Sequence, residues 1–294
     1  MNKHTSIGSK IFDNFNILFL LLLVFATLYP IYYILIVSIS DGNLVTRGLI
    51  KWVPMDITFD AYKIVLSNPD IWRTYGNTLL YTTVGTTINV IMTALCAYPL
   101  SRKDFYGRGI FIFMVALTMF ISGGLIPTYL VVQKLGLVDT MWALVLPPAI
   151  STFNMIIMKT YFEGIPMALQ ESAYLDGANE IQVLFKIIIP LSLPVMATMV
   201  LFYSVHHWNS FFPALIYLND SDKFPVQVLL RNIVIAGEFA DQTADIGSAS
   251  SNFRVVAANY KFAVIIITIL PILVVYPYLQ KYFVKGAMIG ALKG

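Results

Sequence analysis

The stretch ESAYLDGANEIQVLFKIIIP, residues 171–190, is polar and regularly spaced, yet it lies past the middle of a chain that is 58% hydrophobic and only 12% charged. Pro166 precedes it and suits a helix start. Residues 167–175 are good helix formers, with Met167, Leu169, Ala173 and Leu175 apolar and Gln170, Glu171 and Asp176 polar. Gly177 can take a left-handed conformation and end that helix. A second helix is predicted to begin near Asn179 and to run into apolar sequence through Ile187-Ile188-Ile189-Pro190. The expectation is a short amphipathic helix, a glycine turn, and a helix entering a membrane. A short helix lying flat beneath a bundle suits a groove on a partner.

The rest of the chain supplies the bundle. Its 294 residues have a mean hydropathy of +0.75. Soluble domains carry about 25% charged residues, so this chain has too few charges to cover a water-facing surface. The fold class expected is an all-α polytopic membrane protein forming one domain over 1–294. Six stretches reach the length of about 20 apolar residues that a span needs: about 15–39, 78–100, 109–132, 139–160, 187–212 and 262–284. Several contain Pro, which membrane helices tolerate when neighbours re-satisfy the freed carbonyls. The apolar core of the first is longer than a signal peptide's h-region and no small-x-small site follows it, so it is read as an uncleaved helix.

Lys3 and Lys10 before the first span, Arg102, Lys103 and Arg108 in the second loop, and Lys281, Lys285 and Lys293 in the tail place both termini on the cytoplasmic side. The loop 161–186 then faces the cytoplasm, and the longer loops 41–77 and 213–261 face outward. The net charge of +3 is small and dispersed, which gives no case for nucleic-acid binding. Cys96 is the single cysteine, so no intrachain disulfide forms.

Much chemistry is missing. The dipeptide Gly-Lys never occurs, so there is no P-loop for ATP. There is no HExxH, CxxC or GxSxG. His206 and His207 are adjacent and do not share a helix face, which makes a weak metal pair. No expected span has Asp or Glu at its centre, which argues against a proton- or sodium-coupled carrier. Uphill transport by this chain would draw its energy from another protein.

The Glu171–Pro190 spacing closely resembles the EAA loop of binding-protein-dependent ABC importer permeases, which reads E-A-A, three residues, G, nine residues, I-x-L-P. Here Glu171-Ser172-Ala173 is followed by three residues, Gly177, nine more, and Ile187-Ile188-Ile189-Pro190. Ser172 stands for Ala and Ile189 for Leu. Asp176-Gly177-Ala178 is similar to the carbohydrate-uptake branch, that of the maltose transporter's smaller permease. ISGGLIPTYLVVQKLGLVDTMWALVLPPAIS (121–151) and YPYLQKYFVKGAMIGALKG (276–294) look like permeases of complex-oligosaccharide and polysaccharide importers; NFRVVAANYKFAV (252–264) departs from the pattern.

The resemblance implies a type I ABC importer permease fold with six transmembrane helices in the bacterial inner membrane. It implies one half of a carbohydrate path, for an oligosaccharide, with no enzymatic activity in this chain. The partners implied are a second related permease, two cytoplasmic ATPase subunits that bind ATP and Mg, and an extracytoplasmic sugar-binding protein. Glu171, Ser172, Ala173, Leu175, Asp176, Gly177 and Ala178 would form the ATPase-coupling helix and its turn. Loop 213–261 would enter the docked binding protein. The tail after Lys285 would reach the ATPases, or be only a solvated basic end.

A sugar path needs aromatic faces and amide or hydroxyl groups. Asn77, Thr78, Tyr81, Asn89, Tyr129, Trp142, Asn154, His206, Trp208 and Asn209 are candidates near membrane depth. Against each stands a plain structural role, since Tyr and Trp anchor helix ends and Asn or Thr bonds neighbouring helices. Competing functions are an ABC importer for a peptide, phosphonate or metal chelate, a stand-alone secondary carrier or channel, and an intramembrane enzyme.

Overall fold

The computed structural model describes residues 7–242, 259–275 and 277. The chain divides into two compact units, 1–68 with 230–269 and 69–229 with 270–294. Among the described residues all regular structure is helical.

The first unit opens with α1 (Ile7–Ser38), followed by α2 (Gly42–Thr46) and α3 (Asp60–Ser67). From Ile11 to Leu28 the large apolar side chains of α1 are all exposed. In water such a surface would aggregate; in hydrocarbon it is a lipid face. Only the last turns of α1 pack, where Ile36 and Val37 meet Ile50, with Tyr33, Leu44, Val45 and Phe262 around them. Asp41 ends the connection by accepting from the Asn43 backbone N–H at 2.9 Å, which caps α2. The Ser40 carbonyl accepts from Asn259 Nδ2 at 2.8 Å, so a buried polar group near the end of α1 is satisfied.

The second unit contains α4 (Pro69–Ser101), α5 (Arg108–Leu117), α6 (Leu125–Lys134), α7 (Trp142–Val145), α8 (Thr152–Glu163), α9 (Ala168–Leu175), α10 (Glu180–Leu191), α11 (Leu193–Trp208) and α12 (Phe212–Tyr217). Two more helices, α13 (Val226–Gln242) and α14 (Asn259–Val275), follow in the sequence. The core of the second unit is α4 packed between α8 and α11. The inward face of α4 is small and polar, with Gly85, Thr86, Asn89, Thr93, Ala94 and Ala97. Small residues let membrane helices approach closely, and polar ones join them. At Gly85 an added Cβ would lie 2.5 Å from His207 Nε2, so the imidazole of α11 rests on the backbone of α4. His207 Nε2 also bonds Asn89 Oδ1 at 2.8 Å, and Asn89 Nδ2 donates to the Pro148 carbonyl. Thr93 and Tyr203 share a hydrogen bond of 2.6 Å, and the Tyr203 oxygen accepts from the Ser151 N–H at 3.1 Å.

Among the described residues two helices, α1 and α4, are long and apolar enough to cross a membrane, or three if α10 and α11 form one bent span. These two meet at 86° across Ser192. The bend follows a π-helical turn at Leu184–Ile188 and lies between Pro190 and Pro194, which donate no backbone hydrogen bonds. The expected stretch 109–132 is divided between α5 and α6 by residues 118–124, which end in Gly123 and Gly124, the latter with φ +81°. The stretch 139–160 is interrupted at Pro147-Pro148, after which Ser151 caps α8. The tail beyond Pro277, residues 243–258 of the loop expected to face outward, and most of 252–264 lie outside the described residues.

Candidate functional site

Between α8 and α11 the chain leaves the bundle and returns. Helix α9 is eight residues long and amphipathic about its axis. Gln170 and Ala173 are buried and Tyr174 half-buried, one i, i+3, i+4 face. Met167, Leu169, Glu171, Ser172, Leu175 and Asp176 are all exposed, with Ser172 and Leu175 on the side opposite that face; Leu175 is 89% exposed. Thus Ala173 packs inward while the three larger apolar residues stay uncovered. Glu171 lies in the first turn, where the helix dipole favours a carboxylate.

The end of α9 is a Schellman turn. The Ala178 N–H donates to the Ala173 carbonyl at 2.9 Å and the Gly177 N–H to the Tyr174 carbonyl at 3.0 Å. Gly177 has φ +82°, the left-handed region in which a Cβ is strained. Two residues later Asn179 starts α10 with a capping box. Its Oδ1 accepts from the Gln182 N–H at 2.9 Å, and Gln182 Oε1 accepts from the Asn179 N–H at 3.0 Å.

Beneath α9 lies a cluster that the spacing of the motif does not reveal. Tyr98 at the end of α4 and Tyr174 on α9 both donate to Glu180 Oε2, each at 2.8 Å. The Arg102 guanidinium lies 6.0 Å from the Tyr98 ring centre and 5.6 Å from that of Tyr174, within reach of cation–π attraction. Nearby, Glu163 at the end of α8 pairs with Arg108 and, at 2.9 Å, with Lys159. Arg108 Nε donates to the Leu100 carbonyl at 2.9 Å. The ends of α4, α5 and α8 are therefore tied beside α9. The sequence separation of 82 from Tyr98 to Glu180 hides their pairing from the sequence, whereas N-x-x-Q at 179–182 is a capping signal that could have been read.

The candidate path residues separate into two groups. Asn77 Nδ2 donates to the carbonyls of Asp222 and Phe224 at 2.7 and 3.1 Å, and the Tyr81 hydroxyl to that of Lys223 at 2.8 Å. Thr78 Oγ1 accepts from the Val226 N–H at 2.8 Å. These three fasten α4 to the loop before α13. Asn89 is fully buried between His207 and Pro148. Tyr129 stacks on Tyr217 at 6.0 Å, Trp208 is buried edge-on to Tyr75, and Asn209 caps the end of α11. Trp142 opens the short helix α7. Asn154 and His206, by contrast, line one cavity of about 660 Å³ between α8 and α11, with Ser151 and Tyr203 among its walls. That volume falls in the range of small-molecule sites. Among the described residues no group of His, Cys, Asp and Glu could hold a metal ion.

On the side of the second unit away from α9, Asp139 organises the loop before α7. It accepts from Lys223 Nζ at 2.6 Å and from the backbone N–H groups of Asn219 and Asp220 at 3.0 Å each. The Lys223 bond, then those two N–H groups, hold its carboxyl down at about 2.

Residues 3–288 match the family described as binding-protein-dependent transport system inner membrane component. The chain belongs to that family. Members are membrane components of ABC transporters, distinct from the subunits that hydrolyse ATP. Two relatives from Bacillus subtilis (strain 168) are similar throughout. Protein LplC is 45% identical over 99% of this chain and 98% of its own length. The polygalacturonan/rhamnogalacturonan transport system permease protein YtcP is 41% identical over 97% of this chain and 99% of its own. A chain from the crystal structure of a bacterial ABC transporter involved in importing the acidic polysaccharide alginate superposes with a TM-score of 0.86, at 36% identity, covering 96% of this chain and all of that one. A second, from an alginate transporter in complex with a pentasaccharide-bound periplasmic protein, has a TM-score of 0.56 at 14% identity, which speaks to fold alone.

Proposed function

We propose that this permease is one half of the translocation path of an ATP-driven importer for an oligosaccharide. It sits in the bacterial inner membrane with six spans and both termini in the cytoplasm. It works with a second, related permease, two cytoplasmic ATPases that carry ATP and Mg, and an extracytoplasmic sugar-binding protein. The chain itself catalyses nothing and binds no cofactor. Loop 213–261 meets the binding protein.

The observation that carries the reading is the outward face of α9. Met167, Leu169 and Leu175 stand exposed beside Glu171 and Asp176 on a helix held by a glycine turn. A short helix that leaves its larger apolar residues exposed while a small one packs inward has the form of a groove-docking element. Glu171, Ser172, Leu175 and Asp176 contact the ATPase; Ala173, Gly177 and Ala178 fix the helix so that it can. Closure of the ATPase pair draws this helix toward its counterpart and opens the bundle outward. The named cargoes of YtcP and the alginate transporter support an oligosaccharide, and uronate oligomers are the first to try. Asn154 and His206 are the path residues with a cavity to act in.

Purification from the native membrane in mild detergent tests the reading. A P-loop ATPase and a second multi-span protein in fixed ratio are expected. A solitary, monodisperse chain would overturn it. Reconstituted with its binding protein, the complex is expected to take up galacturonate or alginate oligomers only with ATP inside. Uptake that needs only an ion gradient would refute the ATP-driven reading.

A further inference from the structure

We propose that Tyr98, Tyr174 and Glu180 form a latch through which movement of α9 reaches α4. This makes them positioning residues of the coupling step, and the inference rests on α9 being the ATPase contact. Three helices converge on one atom. Tyr98 closes α4, Tyr174 lies on α9, and Glu180 opens α10; both phenols donate to Glu180 Oε2 at 2.8 Å. The two hydroxyls are themselves 3.4 Å apart. Arg102 covers both rings from one turn beyond Tyr98.

The other attachments of α9 are poor transmitters. Its apolar contacts with the core are few: the methyl group of Ala173 and the half-buried ring of Tyr174, with Ala178 just after the helix. Such contacts resist a push and slide under a pull, because dispersion is non-directional. The chain before the helix passes through Gly164, which is easily deformed, and the turn at Gly177 after it ties α9 to α10 and not to α4. Charge-assisted hydrogen bonds are directional and among the strongest available. The latch is therefore the attachment that lets α9 pull on α4 as well as push it. From Tyr98 the pull enters the helix whose other turns hold Asn89 against His207 and Thr93 against Tyr203, both on α11.

The latch can be opened without unfolding its surroundings. A Tyr→Phe change keeps the ring and its packing. Glu180 is exposed, so water takes the place of the lost phenols. The test uses the whole importer, carrying Tyr98→Phe with Tyr174→Phe in one preparation and Glu180→Gln in another. Amide hydrogen exchange is followed without nucleotide and after trapping with ATP and vanadate; no cargo is required. In the parent, trapping is expected to change exchange both at 168–175 and at 90–101. In the double variant the change at 168–175 stays, that at 90–101 falls at least threefold, and ATPase copurification and hydrolysis hold within twofold. Glu180→Gln gives the same pattern more weakly. An undiminished response at 90–101 in the double variant overturns the latch. Loss of the ATPase from that variant overturns it too, by making these residues part of docking. No response at 168–175 in the parent defeats the coupling reading itself, a separate and recognisable failure. A variant that misfolds is identified by altered exchange before nucleotide, and Glu180→Gln then decides.

Discussion

Replacing Gly177 by valine isolates the backbone geometry of the coupling turn. A Cβ built on Gly177 meets nothing within 4 Å, so steric conflict with the rest of the chain adds nothing. What remains is conformation. At φ +82° an L-residue pays about 1–2 kcal/mol, with a β-branched one at the upper end. If the strain is relieved by leaving the left-handed region, the 2.9 and 3.0 Å bonds that end α9 are lost instead. Either way the turn is weakened by about 1.4 kcal/mol, which is a tenfold fall in the equilibrium constant for correctly placed α9. The assay is ATP-driven uptake by the reconstituted importer, with ATPase copurification and hydrolysis measured on the same preparation. Gly177→Val is expected to reduce uptake by up to about tenfold, and Gly177→Ala by a smaller factor. Gly177→Asn should stay close to the parent, because Asn tolerates the left-handed region. Equal uptake by Val and Gly variants would refute the argument. A loss with Asn as severe as with Val would also refute it, since the space over Gly177 would then be filled by a partner and the backbone would be irrelevant.

Other outcomes follow from single contacts. Glu171→Lys reverses an exposed charge; its effect on the chain's own stability is expected to stay within the 0.3–1 kcal/mol of a first-turn dipole contact. ATPase copurification is expected to fall sharply and to depend more on salt; unchanged binding at low salt would remove Glu171 from the docking face. Gly85→Ala drives a methyl into the His207 ring, 2.5 Å from Nε2, so about 1–3 kcal/mol of destabilisation is expected. Thermal unfolding in detergent reads it, and the same change in a His207→Ala background should lose far less. Asp139, with its carboxyl held at about 2 against about 3.9 in an unfolded chain, stabilises the fold fully above pH 4. That contribution is lost as pH falls from 4 toward 2, and Asp139→Asn is expected to flatten the fall in Tm across this window; an unaltered slope would show that the Lys223 contact is not felt in solution.

The helix–glycine–helix unit was legible because each of its signals is local. Pro166, the helix formers of 167–175, the left-handed glycine and Asn179 all act within a few residues, and α9, its Schellman turn and the cap of α10 lie where those signals put them. Hydropathy located apolar sequence well and helix continuity badly. It cannot register that Gly123-Gly124 and Pro147-Pro148 interrupt their stretches, since both glycine and proline are tolerated in spans that others run straight through. The 86° turn at Ser192 is a property of how α10 and α11 pack, and the prolines beside it permit a bend without specifying one. The latch beneath α9 was illegible for a different reason: its partners are 82 residues apart and depend on the tertiary fold.

The polar residues within the spans carry a further lesson about where solute passes. Asn89, with its amide nitrogen on the Pro148 carbonyl and its oxygen on His207, has its strongest bonding directions already taken inside the bundle. Asn77, Thr78 and Tyr81 are in the same position toward residues 222–226. A side chain whose donors and acceptors are committed to holding helices together has little left for a passing hydroxyl, and pulling it away leaves a buried group unmatched. Side chains facing a passing sugar must exchange partners at each step, so they belong beside open volume and water. Asn154 and His206 lie beside such open volume, at the cavity between α8 and α11. We therefore propose that the path through this subunit runs along α8 and α11 at that cavity and not along α4, whose polar face holds the bundle together.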